Sequence, residues 1–105
     1  MNVMKMMKQA ASMQKNMQKM QEELGQRVFE FSSGGGMVTA IVKGDMTLQA
    51  LKIDPKAVDP SDVGMLQDLV VTAIRGAFDL AREEMATEMS KITGGLGGMG
   101  IPGLG

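Results

Sequence analysis

The chain has 105 residues, 44% of them hydrophobic, which suits one domain with a modest core. It contains no cysteine and no histidine, so disulfides, thiolate chemistry, zinc sites of the usual kind and imidazole acid–base catalysis are all excluded. A formal net charge of −1 carries no overall signal for a nucleic-acid partner, so any such reading must rest on local charge.

From Asn2 to Leu24 methionine, lysine and glutamine dominate, and neither proline nor glycine interrupts. Met6, Ala10, Met13, Met17, Met20 and Leu24 recur at alternating spacings of four and three, the seam of a helix that packs along another helix. Thioethers also bind soft metals, but methionine at seam spacing reads first as an adaptable packing surface. Lys5, Lys8, Lys15 and Lys19 lie on the opposite face with Ser12 filling the missing step, and residues 1 to 21 contain no acid. Such a row is either a solvated face or a ladder of phosphate contacts. Gly25 ends the helix.

Gln26 to Phe31 alternates as a short strand, with Arg27, Phe29 and Phe31 on one side. Ser32 to Gly36 follows. Its three glycines join strand to strand, without the Gly-Lys-Ser/Thr and helix entry of a phosphate loop, so they are expected to shape a turn at positive φ. Met37 to Lys43 and Met46 to Ile53 form a hairpin closed by Gly44-Asp45. Pairing Lys43 with Met46 sets Ile41 opposite Leu48 and Val38 opposite Leu51, with apolar side chains on both sheet faces, more than one helix layer would cover.

Asp59 and Pro60 read as the N-cap and first turn of a long helix. Leu66, Val70, Ala73, Ala77, Ala81, Met85, Met89 and Ile92 carry its apolar stripe as far as Thr93-Gly94-Gly95. About 30 residues span roughly 45 Å, which would project beyond a domain whose radius of gyration is near ~13 Å and so calls for a partner. Arg75 and Arg82 share a face of this helix with Asp79 between them. Residues 1–93 form the expected single domain, and the glycine-rich residues 94–105 a flexible tail. Asp54, Asp59, Asp62 and Asp68 are the candidates for acid–base work or a hard cation. Asp59 as a cap and Asp62 as a first-turn acid account for two of them, and no nucleophile and base stand out together. The expectation is therefore no enzyme, no cofactor, no metal site and no small-molecule substrate. No secretory signal pattern and no apolar run of roughly 18 residues is present, which leads to the expectation of a cytoplasmic protein with no membrane partner.

Four blocks in order, MQKNMQKMQEEL, SSGGGMVTAIVKGD, LKIDPKAVDPSDVGMLQDLVVTAIRGAF and TGGLGGMGIPGLG, cover nearly the whole chain. Together they resemble the YbaB/EbfC family of bacterial nucleoid-associated DNA-binding proteins. The resemblance implies an α+β chain of order α-β-β-β-α with a small antiparallel sheet and two long projecting helices. It also implies a homodimer formed through the sheets in a tweezer-like arrangement, located at the nucleoid, and DNA bound without strong sequence preference. The chain departs from the family at Leu66-Gln67, where an acidic pair is common, and at Arg75-Gly76, where Asn-Asp is common. Gly76 costs a helix about 1 kcal/mol relative to alanine and marks a candidate bend. The expected function is sequence-tolerant binding of double-stranded DNA by a homodimer, with effects on chromosome organisation and gene expression. Lys5, Lys8, Lys15 and Lys19 are its first candidate contacts, and Arg75, Arg82 and Lys91 its second. The competing expectation is a protein-interaction adaptor that uses the methionine-rich helix and the flexible tail.

Overall fold

A computed structural model describes the backbone of residues 2–100 and the side chains of residues 2–91. Its elements are α1 (Val3–Gly25), β1 (Val28–Ser33), β2 (Val38–Lys43), β3 (Leu48–Ile53) and α2 (Val63–Gly100), with 3-10 turns at Gly34–Gly36 and Pro55–Ala57. The α-β-β-β-α order and α+β class agree with the sequence reading. The backbone of α2 continues as helix to Gly100, past the expected stop at Thr93-Gly94-Gly95. The rest of the flexible-tail expectation concerns side chains from residue 92 and backbone from residue 101 that lie outside the described residues.

Local chemistry sets the helix ends. Asn2 caps α1 by accepting from the amides of Met4 (3.1 Å) and Lys5 (3.4 Å). At the other end the Arg27 amide still donates to the Leu24 carbonyl, so β1 starts at Val28 and not at Gln26. The start of α2 differs from expectation in the same way. Asp59 accepts from the Ser61 amide (2.9 Å) and hydroxyl (2.7 Å), closing a turn of its own. The cap of α2 is Asp62, which accepts from the Met65 amide at 3.2 Å.

The three strands form one antiparallel sheet with β2 in the centre. Phe29, Val38, Ala40 and Val42 meet Ala73, Ala77 and Ala81 of α2, and these residues make the core. Three alanines at a spacing of four leave a smooth ridge, so the helix backbone settles close onto β1 and β2. Leu66, Leu69, Val70, Ile74, Phe78 and Met85 seal its flanks. The Ser33 hydroxyl donates to the Leu69 carbonyl at 2.6 Å and pins the end of β1 to α2.

The triple glycine is a turn between strands, as expected, with positive φ at Gly34, Gly35 and Gly36. The second hairpin departs from expectation. Val38 pairs with Ile53 and Ile41 with Ala50, and a bulge between Ile41 and Val42 shifts the register. Lys43 bonds to the Thr47 carbonyl at 2.9 Å, so the loop has a third residue, and Met46, not Gly44, takes the positive φ of 67°. The apolar surplus also lies elsewhere. Leu48, Leu51 and Ile53 share the α2 side of the sheet but extend past the helix, leaving Leu48 and Ile53 about 40% exposed. The opposite face carries Glu30, Ser32, Thr39 and Lys52, with Ser32 and Thr39 hydroxyls 2.8 Å apart, and Ile41 buried among them.

The principal extents are 75 × 30 × 15 Å and the radius of gyration is 20.6 Å. That is well above the ~13 Å of a compact chain this long, because α1 and the outer part of α2 stand clear of the sheet.

Candidate nucleic-acid interface

α1 has no buried residue. Its 23 residues form a rod of about 34 Å joined to the body at its C-terminal end. Lys5, Lys8, Lys15 and Lys19 are all exposed along it, and among the described residues none of the four forms a salt bridge. Lys5 and Lys8 border a shallow depression with Gln9, Ser12, Met13 and Asn16. Neutral donors thus stand between cations, a mixture suited to phosphate oxygens.

The root of the rod is held by backbone. The Gly44 amide donates to the Arg27 carbonyl at 2.8 Å, and the Asp45 amide to the Gly25 carbonyl at 3.1 Å. A side chain at Gly44 would collide with the Leu24 carbonyl oxygen, so glycine is required here for close approach. Side chains add a second hold. Arg27 lies 5.4 Å over the Phe29 ring and 3.3 Å from Glu88 of α2, which is also 3.6 Å from Lys91. Arg27, Glu88 and Lys91, with Met20, Glu23 and Leu24, line a cavity of about 450 Å³ between the two helices.

The seven sequence candidates therefore do not form one cluster. The four lysines share α1. Arg75 is exposed on α2 over the sheet, Arg82 is paired with Asp79 at 2.8 Å, and Lys91 faces the root of α1. Arg27 reads by alternation as a strand residue, and its position two residues after the helix-ending Gly25 is the sequence signal for its place at the root of α1.

Three of the four candidate aspartates serve the chain locally. Asp54 accepts from the Lys56 amide at 2.9 Å, Asp59 closes its turn on Ser61, and Asp62 caps α2. The hydroxyl and then the amide of Ser61 hold the Asp59 carboxyl below the usual carboxylate range. Among the described residues no group of three or more acids is placed to hold a metal ion, and no described helix is long and apolar enough to cross a membrane.

The sequence pattern of the YbaB/EbfC DNA-binding family matches residues 1–96, from α1 through the described side chains of α2. The chain belongs to this family. It is similar to a nucleoid-associated protein of Desulforamulus reducens, 50% identical over 103 residues, which cover 98% of this chain and 95% of that protein. A nucleoid-associated protein of Acetivibrio thermocellus is 48% identical over 98% of this chain and 89% of its own length. One from Saccharopolyspora erythraea is 45% identical over 98% and 94%. The crystal structure of uncharacterized protein HP0035 from Helicobacter pylori matches with a TM-score of 0.69 at 20% identity, over 89% of this chain and 98% of that one. At that identity the likeness speaks to the fold alone.

Proposed function

We propose that this protein binds double-stranded DNA at the bacterial nucleoid as a homodimer, without strong sequence preference and without catalysing a reaction. The observation that carries this reading is the lysine row of α1. It consists of four exposed cations on a rod with no acid before Glu22 and, among the described residues, no ion pair to neutralise them. Membership of a DNA-binding family supports the partner, and the names of its nucleoid-associated relatives support the location. A homodimer is supported by the elongated shape and by the apolar residues of edge strand β3 that α2 leaves uncovered.

Phosphate contacts predict a particular salt response. Each neutralised phosphate contributes about −0.9 to the slope of log affinity against log salt. Lys5, Lys8, Lys15 and Lys19 changed together to glutamine keep strong helix formers at exposed positions, so folding is preserved. The expected result is weaker duplex binding with a shallower salt slope, across different sequences alike. A folded variant with unchanged affinity and slope rejects the assignment and turns attention to Arg75, Arg82 and Lys91.

The exposed methionines of α1 favour a second reading, an adaptor that offers this seam to another protein's helix. Salt separates the two, because an apolar helix-in-groove contact responds little to it.

A further inference from the structure

Oxidation chemistry in this chain falls to methionine. Cysteine, histidine, tryptophan and tyrosine are all absent while methionine occurs 13 times, so thioethers are the side chains that an oxidant converts first. Their surroundings differ. Met4, Met6, Met7 and Met13 are more than half exposed on the outer part of α1, where an added oxygen changes solvated surface. Met37 and Met85 are half-buried and so shielded. Met17, Met20 and Met89 are both reachable and in a contact. They are 47%, 42% and 41% exposed, and with Gln21 they line one cavity of about 20 Å³ where α1 faces α2.

The place of that cavity gives it leverage. α1 has no buried residue, and the backbone bonds from Gly44 and Asp45 hold it at its root, at Arg27 and Gly25. Met17 lies about two helical turns farther out. The space among the three thioethers takes a single water. One sulfoxide oxygen fills it, and a second, a polar group that needs hydrogen bonds from water, has no room while the helices stay together. We propose that Met17, Met20 and Met89 are an oxidant-responsive contact, and that a peroxide, by converting them to sulfoxides, releases α1 from α2 beyond its root. In each step the sulfur attacks one oxygen of hydrogen peroxide. A sulfur–oxygen bond forms as the O–O bond breaks, and the departing hydroxide takes the proton of the transferred oxygen and leaves as water. The thioether thereby gives up two electrons and the peroxide gains them. Because these positions stay open to solvent, methionine sulfoxide reductases can restore the contact. None of this rests on DNA binding, and neither measurement below uses DNA.

Both measurements use the full chain. After limited treatment with hydrogen peroxide, peptide mass spectrometry should find Met17, Met20 and Met89 oxidised well ahead of Met37 and Met85. Equal rates at all five overturn the proposal. For the arms, nitroxide labels on Gln14→Cys of α1 and Ser90→Cys of α2, in labelled chains diluted into unlabelled protein, report the distance between the helices by pulsed electron paramagnetic resonance. Peroxide should lengthen and broaden that distance, and a sulfoxide reductase should return it. The same labels in a background of Met17→Leu, Met20→Leu and Met89→Leu keep the contact apolar at similar volume and leave Met4, Met6, Met7 and Met13 to be oxidised, so there the distance should hold. A parent distance that peroxide does not move, or an equal change in the leucine background, overturns the proposal.

Discussion

Gly76 sits where the Phe31 side chain presses against α2, and a Cβ built there would overlap the ring. Two effects oppose each other in Gly76→Ala. Helix propensity gains about 1 kcal/mol, whereas overpacking costs about 1–3 kcal/mol because backbone and ring must both move. The clash wins, so the variant should unfold at lower denaturant. Phe31→Ala removes the obstacle, and adding Gly76→Ala in that background should then stabilise by up to about 1 kcal/mol. A second residue-scale expectation concerns Asp59. Its carboxyl is depressed by Ser61, so its contribution to stability is present above the ordinary carboxylate range and is lost as pH falls through the lowered folded value. An NMR titration should place its midpoint below that of a free aspartate, and Ser61→Ala should move it back up.

Among the elements, α2 depends on a ridge of minimal side chains. Ala73, Ala77 and Ala81 have no exposed surface, and they set the spacing between helix and sheet. Ala77→Val inserts two methyl groups where Val38, Ala40 and Val42 already fill the space, at a cost of about 1–3 kcal/mol. Chemical denaturation should show a lower midpoint with an unchanged slope, since the surface exposed on unfolding is nearly the same. The bulge in the second hairpin belongs to this scale too. It inserts one extra residue, Gln49, between Leu48 and Ala50, which keeps Leu48, Leu51 and Ile53 on the side of the sheet that faces α2.

For the whole molecule, the governing feature is surface that one chain does not bury. Leu48 and Ile53 extend the core past the edge of α2, and α1 stands out as a rod with its methionines exposed. If the dimer covers the first of these, Leu48→Glu with Ile53→Glu should leave a folded monomer. Sedimentation would then report one chain mass where the parent gives two, with helical content retained. A parent protein that sediments as a monomer at micromolar concentration removes the paired-arm arrangement, because a single rod would have to hold DNA alone.

Period and punctuation were enough to read most of the fold. The four-and-three spacing of the methionines in α1 and of the alanines in α2, the alternation in β2 and the glycine turn before it are local properties, set by which residues can share a face or take positive φ. The lysine row was legible for the same reason, since helical geometry alone fixes which side chains share a face. Tertiary structure decided whatever depended on a neighbour distant in sequence. Gly44 reads as a turn glycine and proves to be a contact point for the Leu24 carbonyl, while Met46 takes the left-handed conformation. Gly76 reads as a bend and proves to be the seat of Phe31. Asp59 reads as the helix cap, but the chain closes a turn on Ser61 first and leaves the cap to Asp62. Arg27 reads as a strand residue and instead ties the root of α1 to Glu88, sixty-one positions away. A linear pattern records each residue's own preferences; which backbone, ring or carboxylate meets it is settled only when the helices and sheet pack together.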